Sequence, residues 1–86
     1  MTNFSYPVID MVKTGIKIRQ LIRDKTYTVE KVRDCLELET SQALYKWFRG
    51  ESVPKVDNLI ALCRLLDVKV EDMIICKDAN VDEIDL

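Results

Sequence analysis

The 86-residue chain contains no histidine, two glycines, two prolines and one tryptophan. Without imidazole it lacks both the commonest general base and the commonest metal ligand. Its three cysteines, Cys35, Cys63 and Cys76, form no C-x-x-C pair, so their spacing offers neither a zinc site nor a disulfide framework. Each lies beside Leu or Ile and is expected to be a small buried hydrophobe in a reducing compartment. No serine or cysteine has the surroundings of an activated nucleophile, so neither catalysis nor a cofactor is expected. No apolar run approaches the roughly 20 residues that cross a bilayer. The opening MTNFSYPVID lacks the basic start and apolar centre of a signal peptide. The sequence therefore predicts a soluble cytoplasmic protein with no membrane association. Repeats and low-complexity segments are also absent.

A chain this short forms one small domain, burying roughly 60 to 65% of the surface its unfolded form exposes. The formal net charge is −2, but it is unevenly distributed. Residues 1–50 carry nine Lys or Arg against six Asp or Glu, a balance of +3; residues 51–86 carry four against nine, a balance of −5. The local field governs what a surface attracts, so the basic half is a usable phosphate-facing surface and the acidic half a candidate protein contact. An ordinary solvated domain can show the same imbalance.

Apolar spacing predicts five helices. Thr14 to Lys25 places Ile18, Leu21 and Ile22 at helical intervals, with Lys17, Arg19 and Arg23 on other faces. Thr28 is a natural N-cap for a second helix to about Glu37, carrying Val29, Val32 and Leu36. After the polar interval Leu38 to Ser41 comes a third helix with the stripe Ala43, Leu44 and Trp47, leaving Gln42, Tyr45, Lys46 and Arg49 to point elsewhere. Trp47 is expected in the core. Gly50 can adopt the left-handed conformation that ends a helix, and Pro54 prevents easy continuation. Val56, Leu59, Leu62 or Cys63, and Leu66 share one face of a fourth helix, and Val70, Met73 and Ile74 mark a short fifth. The predicted boundaries are an N-terminal arm over 1–13, a helical domain over 14–76 and an acidic tail over 77–86. Within that tail Val81, Ile84 and Leu86 are positioned to dock on a partner.

TGIKIRQLIRDK, YTVEKVRDCLEL, SQALYKWFRGESVP and DNLIALCRLLDVKVEDMII, taken in order, resemble the Cro and phage-repressor (XRE) family over about Thr14 to Ile75. The resemblance implies an all-α fold, a five-helix lambda-repressor-like bundle containing a helix-turn-helix. It also implies sequence-specific binding of double-stranded DNA by a small transcriptional repressor, with the segment from about 41 to 49 reading the major groove and a homodimer spanning a two-fold site. Val29, Arg33 and Glu37 stand where family members commonly carry a phosphate-gripping Gln, a small residue and a turn Gly. The interval from Val32 to Trp47 is one residue longer than usual.

Gln42 and Lys46, four apart, are suited to adenine and to guanine or phosphate, and Tyr45 to a thymine methyl or a phosphate oxygen. With Ser41 they form the expected base-reading set. Thr40 and Ser41 lie where helix-opening amides and hydroxyls favour an anion. Thr40 joins Arg49 as an expected phosphate contact, and the resemblance adds Lys55 and Asn58 at the start of the fourth helix. Arg19, Lys31 and Arg33 read first as solvated charges. The bland alternative for all of these is a polar face touching only water. A rival reading keeps the scaffold as a protein-binding module, an antirepressor, antitoxin or phage-encoded inhibitor, engaging its partner through the acidic half.

Overall fold

Helix α1 runs from Met11 to Asp24 in a computed structural model that describes residue 4 and residues 6–79. The sequence pattern starts this helix at Thr14; the structure starts it three residues earlier. Asp10 is the N-cap, its carboxylate accepting the Lys13 amide at 3.0 Å. Thr14 has a different task. It is buried, and its hydroxyl donates to the Ile75 carbonyl at 3.2 Å while accepting the Ile75 amide at 2.9 Å. The Asp10 amide donates to that same carbonyl at 2.8 Å. These bonds pin the start of α1 to the far end of the chain.

That end is not a frayed continuation of the last helix. Cys76–Ala79 forms strand β2, antiparallel to β1 (Tyr6–Ile9), with Tyr6 opposite Ala79 and Ile9 opposite Cys76. The stretch 1–13 therefore contributes a strand and the first turn of α1, and the ribbon reaches past residue 77. Residues 81, 84 and 86 lie outside the described residues.

The remaining helices are α2 (Val29–Cys35), α3 (Gln42–Phe48), α4 (Val56–Leu66) and α5 (Val70–Met73). Together with α1 they give the five-helix, essentially all-α architecture anticipated from apolar spacing, with a small ribbon added. Thr28 caps α2 by accepting the Lys31 amide at 3.0 Å. The stripe Val32, Leu36, Leu44 and Trp47 is buried, joined by Ile18 and Ile22 from α1, Leu62 and Leu66 from α4, and Met73 from α5. Burying such side chains stabilises the fold by roughly 1.5–3 kcal/mol each. Among the described residues no helix is long and apolar enough to cross a membrane.

Four helices end alike. At Thr26, Glu37, Gly50 and Asp67 the backbone turns to positive φ, between 56° and 76°. At each, that residue's amide bonds back three positions and the following amide bonds back five. This double closure satisfies carbonyls that a helix end otherwise leaves open. Only Gly50 is a glycine. The other three carry a Cβ in a left-handed conformation that costs about 1 kcal/mol relative to glycine.

The cysteines divide. Cys63 is buried, and burial pushes its thiol above the ordinary value. Cys35 and Cys76 are exposed, against the expectation that all three pack inside. Cys35 is the last residue of α2, and Cys76 sits on a ribbon whose described side chains lie outside the core.

Candidate nucleic-acid interface

The geometry of α3 is set from beneath. Leu44, Trp47 and Phe48 are buried on its inner face, with Leu44 fully covered and Trp47 4% exposed. Helical periodicity then sends Gln42, Tyr45, Lys46 and Arg49 outward, because positions three, four and seven apart share a face. Gln42 and Lys46 are exposed and Tyr45 keeps 41% of its surface open. One carboxamide, a phenol and an ammonium side by side can match base-edge donors and acceptors or phosphate oxygens.

The far side of α1 meets the inner face. A Cβ built on Gly15 would stand 2.1 Å from the Trp47 carbonyl oxygen and 2.8 Å from that of Phe48. Only glycine lets the two backbones come this close. The contact fixes how α3 sits on the bundle.

At the entry to α3, Ser41 occupies the N-cap position in a near-helical conformation and its side chain makes no capping bond. Thr40 supplies the hydroxyl instead, accepting the Gln42 amide at 3.3 Å. Ser41 is half-buried, Thr40 exposed. Both stand beside Gln42, at one end of the exposed face.

Past Arg49, Gly50 at φ 76° closes the helix, its amide donating to the Trp47 carbonyl at 3.1 Å and the Glu51 amide to that of Lys46 at 2.9 Å. This turn returns Glu51 against Arg49, with Nε to Oε2 at 2.5 Å and Nη2 to Oε1 at 3.3 Å. The guanidinium hydrogen bond holds the Glu51 carboxyl below its usual value, with nearby Lys46 adding to the effect, and raises Arg49 in turn. Both partners are solvent-exposed, so the pair contributes little to stability. Its effect is local: one positive charge of the exposed face is matched by a carboxylate.

Lys55 and Asn58 sit on another element. Lys55 is the exposed N-cap residue of α4 and Asn58 lies half-buried in its first turn, beyond the loop that contains the buried Pro54. Thr40, Ser41, Gln42, Tyr45, Lys46 and Arg49 thus gather on α3 and its entry, with Lys55 and Asn58 beside its exit loop. Arg33 pairs with its neighbour Asp34 at 2.9 Å. Phe48 and Glu51, which the sequence did not single out, shape this surface. Neither carried a sequence signal: Glu51 reaches Arg49 only through the Gly50 turn, and Phe48 is simply the neighbour of Trp47.

Against known families, a model described as the Cro/C1-type HTH DNA-binding domain matches residues 17–79, well over half of the chain. The chain belongs to the Cro/C1-type helix-turn-helix family. Its fold is similar to those of solved structures that include the following two. The restriction-modification controller protein C.AhdI from Aeromonas hydrophila is 23% identical, with a TM-score of 0.66 over 74% of this chain and 96% of that one. The clp gene regulator ClgR from C. glutamicum is 21% identical, with a TM-score of 0.64 over 73% of this chain and 80% of that one. Among curated sequences no match is found. Within this Cro/C1-type domain, α2 and α3 are the two members of the helix-turn-helix. Six residues join them, from Leu36 to Ser41, instead of the short turn implied by a scaffold helix reaching Glu37. The left-handed Glu37 ends α2 early, which lengthens the connection.

Proposed function

We propose that this Cro/C1-type domain reads double-stranded DNA sequence-specifically, with α3 in the major groove, as a small cytoplasmic transcriptional repressor. The observation that carries this reading is the division of α3: a sealed apolar face, and an outer face on which Gln42, Tyr45 and Lys46 are exposed. Gln42 pairs with adenine, Lys46 reaches guanine acceptors or phosphate, and Tyr45 takes a thymine methyl or a phosphate oxygen. Ser41 and Thr40 meet DNA at the helix entry, and Lys55 and Asn58 hold the backbone from α4. Arg49 contributes to phosphate binding only to the extent that a phosphate competes with Glu51. A seven-residue helix covers few base pairs, so two copies about 34 Å apart on a two-fold operator supply useful specificity.

The test is a competition mobility-shift assay with the wild type and Gln42→Ala. Gln42→Ala is expected to lose about 1–3 kcal/mol of discrimination between preferred and altered sites. Undiminished discrimination removes Gln42 from the reading set. The acidic balance of residues 51–86, with Glu51 already drawn against Arg49, favours a second reading: a protein-binding module on the same scaffold. That reading predicts partner capture unchanged by Gln42→Ala and Lys46→Ala together.

A further inference from the structure

The Arg19 guanidinium carbon lies 5.2 Å from the centroid of the Phe48 ring. Phe48 in turn meets Tyr45 edge to face, with centroids 5.7 Å apart and planes at 89°. The outer face of α3 therefore continues, through two rings in edge-to-face contact, to a cation on a different helix. Gly15 explains the placement. Arg19 is one turn beyond it on the same face of α1, so the backbone contact of Gly15 with Trp47 and Phe48 sets the height at which Arg19 crosses the ring.

Arg19 also differs from Arg33 and Arg49 in its pairing, and from Arg23 in lying over an aromatic ring. Arg33 is engaged by Asp34 and Arg49 by Glu51. Arg19 has no carboxylate partner among the described residues, although Asp24 borders the same hollow beside Ile16, Gln20 and Arg23. Stacking on an aromatic face holds a guanidinium in place while leaving its N–H edge free to bind an oxyanion. A helix with its side chains, about 10–12 Å across, fills a major groove about 12 Å wide, so the flanks of a seated helix meet the two phosphate rows.

We propose that Arg19, stacked on Phe48 at the Tyr45 flank of α3, binds a phosphodiester of the DNA backbone and anchors α1 to the duplex. The proposal rests on the DNA-binding reading above. The contact is electrostatic and indifferent to sequence, so it fixes the depth and tilt of α3 without selecting bases. Neutralising one phosphate releases condensed counterions and adds about 0.9 to the slope of log affinity against log salt.

Fluorescence anisotropy on a labelled short duplex, over a salt series, tests this with the wild type, Arg19→Ala and Arg19→Lys. The slope for Arg19→Ala is expected to be shallower by about 0.9, with equal weakening on preferred and unrelated duplexes, while Arg19→Lys keeps the wild-type slope. A thermal melt checks folding of each variant. Should Arg19→Ala unfold, Arg19→Met keeps an unbranched stem on the ring without the charge and takes its place. An uncharged variant with the wild-type slope overturns the proposal, as does an Arg19→Lys slope as shallow as that of Arg19→Ala. A wild type that shows no salt-dependent binding at all is a different failure, and contradicts the DNA reading itself.

Discussion

Gly15→Ala is expected to destabilise the protein by about 2–3 kcal/mol, although alanine is the better helix former by roughly 0.5–1 kcal/mol. Position 15 lies inside α1, where propensity alone predicts a gain. The added methyl would meet the Trp47 carbonyl oxygen at 2.1 Å and the Phe48 carbonyl oxygen at 2.8 Å. Both are backbone atoms of α3, and Trp47 O already accepts the Gly50 amide. No rotamer change relieves such a clash, so α1 and α3 must separate and the core between them loosens. For a domain of this size the melting temperature should fall by roughly 10–20 °C. An unchanged or raised melting temperature contradicts the close approach. Separation also moves Arg19 away from Phe48, so duplex binding should weaken even below the melting transition.

Trp47→Ala is expected to cost more, about 3–5 kcal/mol, the range for removing a large aromatic side chain from a core. Trp47 is 4% exposed and lies among Ile18, Leu44 and Phe48 in one buried cluster. A small domain has only about 5–15 kcal/mol in total, so the variant should be largely unfolded on mild warming. Because Trp47 is the only tryptophan, the variant must be followed by far-ultraviolet circular dichroism in a urea titration. A shift of the urea midpoint within error of zero would mean that the indole does not anchor α3.

These two residues mark where the sequence was readable and where it was not. The role of Trp47 followed from its spacing to Ala43 and Leu44, because helical periodicity is a local property. The left-handed stop at Gly50 was equally visible, since glycine advertises that conformation. The stops at Thr26, Glu37 and Asp67 gave no such signal, and Glu37 shortened α2 without notice. Gly15 looked like a helix-opening residue; its need is tertiary, imposed by carbonyls more than thirty positions away. Thr14 stood at the predicted start of the helix for a similar reason. A threonine before an apolar period is a start signal, and only the packed structure shows its hydroxyl committed to Ile75.

The ribbon was illegible because YPVI and CKDA are four residues each, one interrupted by proline, with no alternation that separates strand from loop. At the candidate interface the outward direction of Gln42, Tyr45, Lys46 and Arg49 was legible from period alone. Which charges remain available was not. The sequence gives no spacing by which Arg19 can be matched to Phe48, and it valued Arg49 without the carboxylate that the Gly50 turn brings to it.

The most direct test of α3 as the DNA-reading element is chemical-shift mapping of the isotope-labelled protein during titration with a short duplex at low salt. The largest shifts should fall on the backbone amides from Thr40 to Arg49 and on the side-chain amide of Gln42, with smaller ones near Lys55 and Asn58. Shifts confined to the outer surface of α4 and α5, with α3 silent, would contradict it.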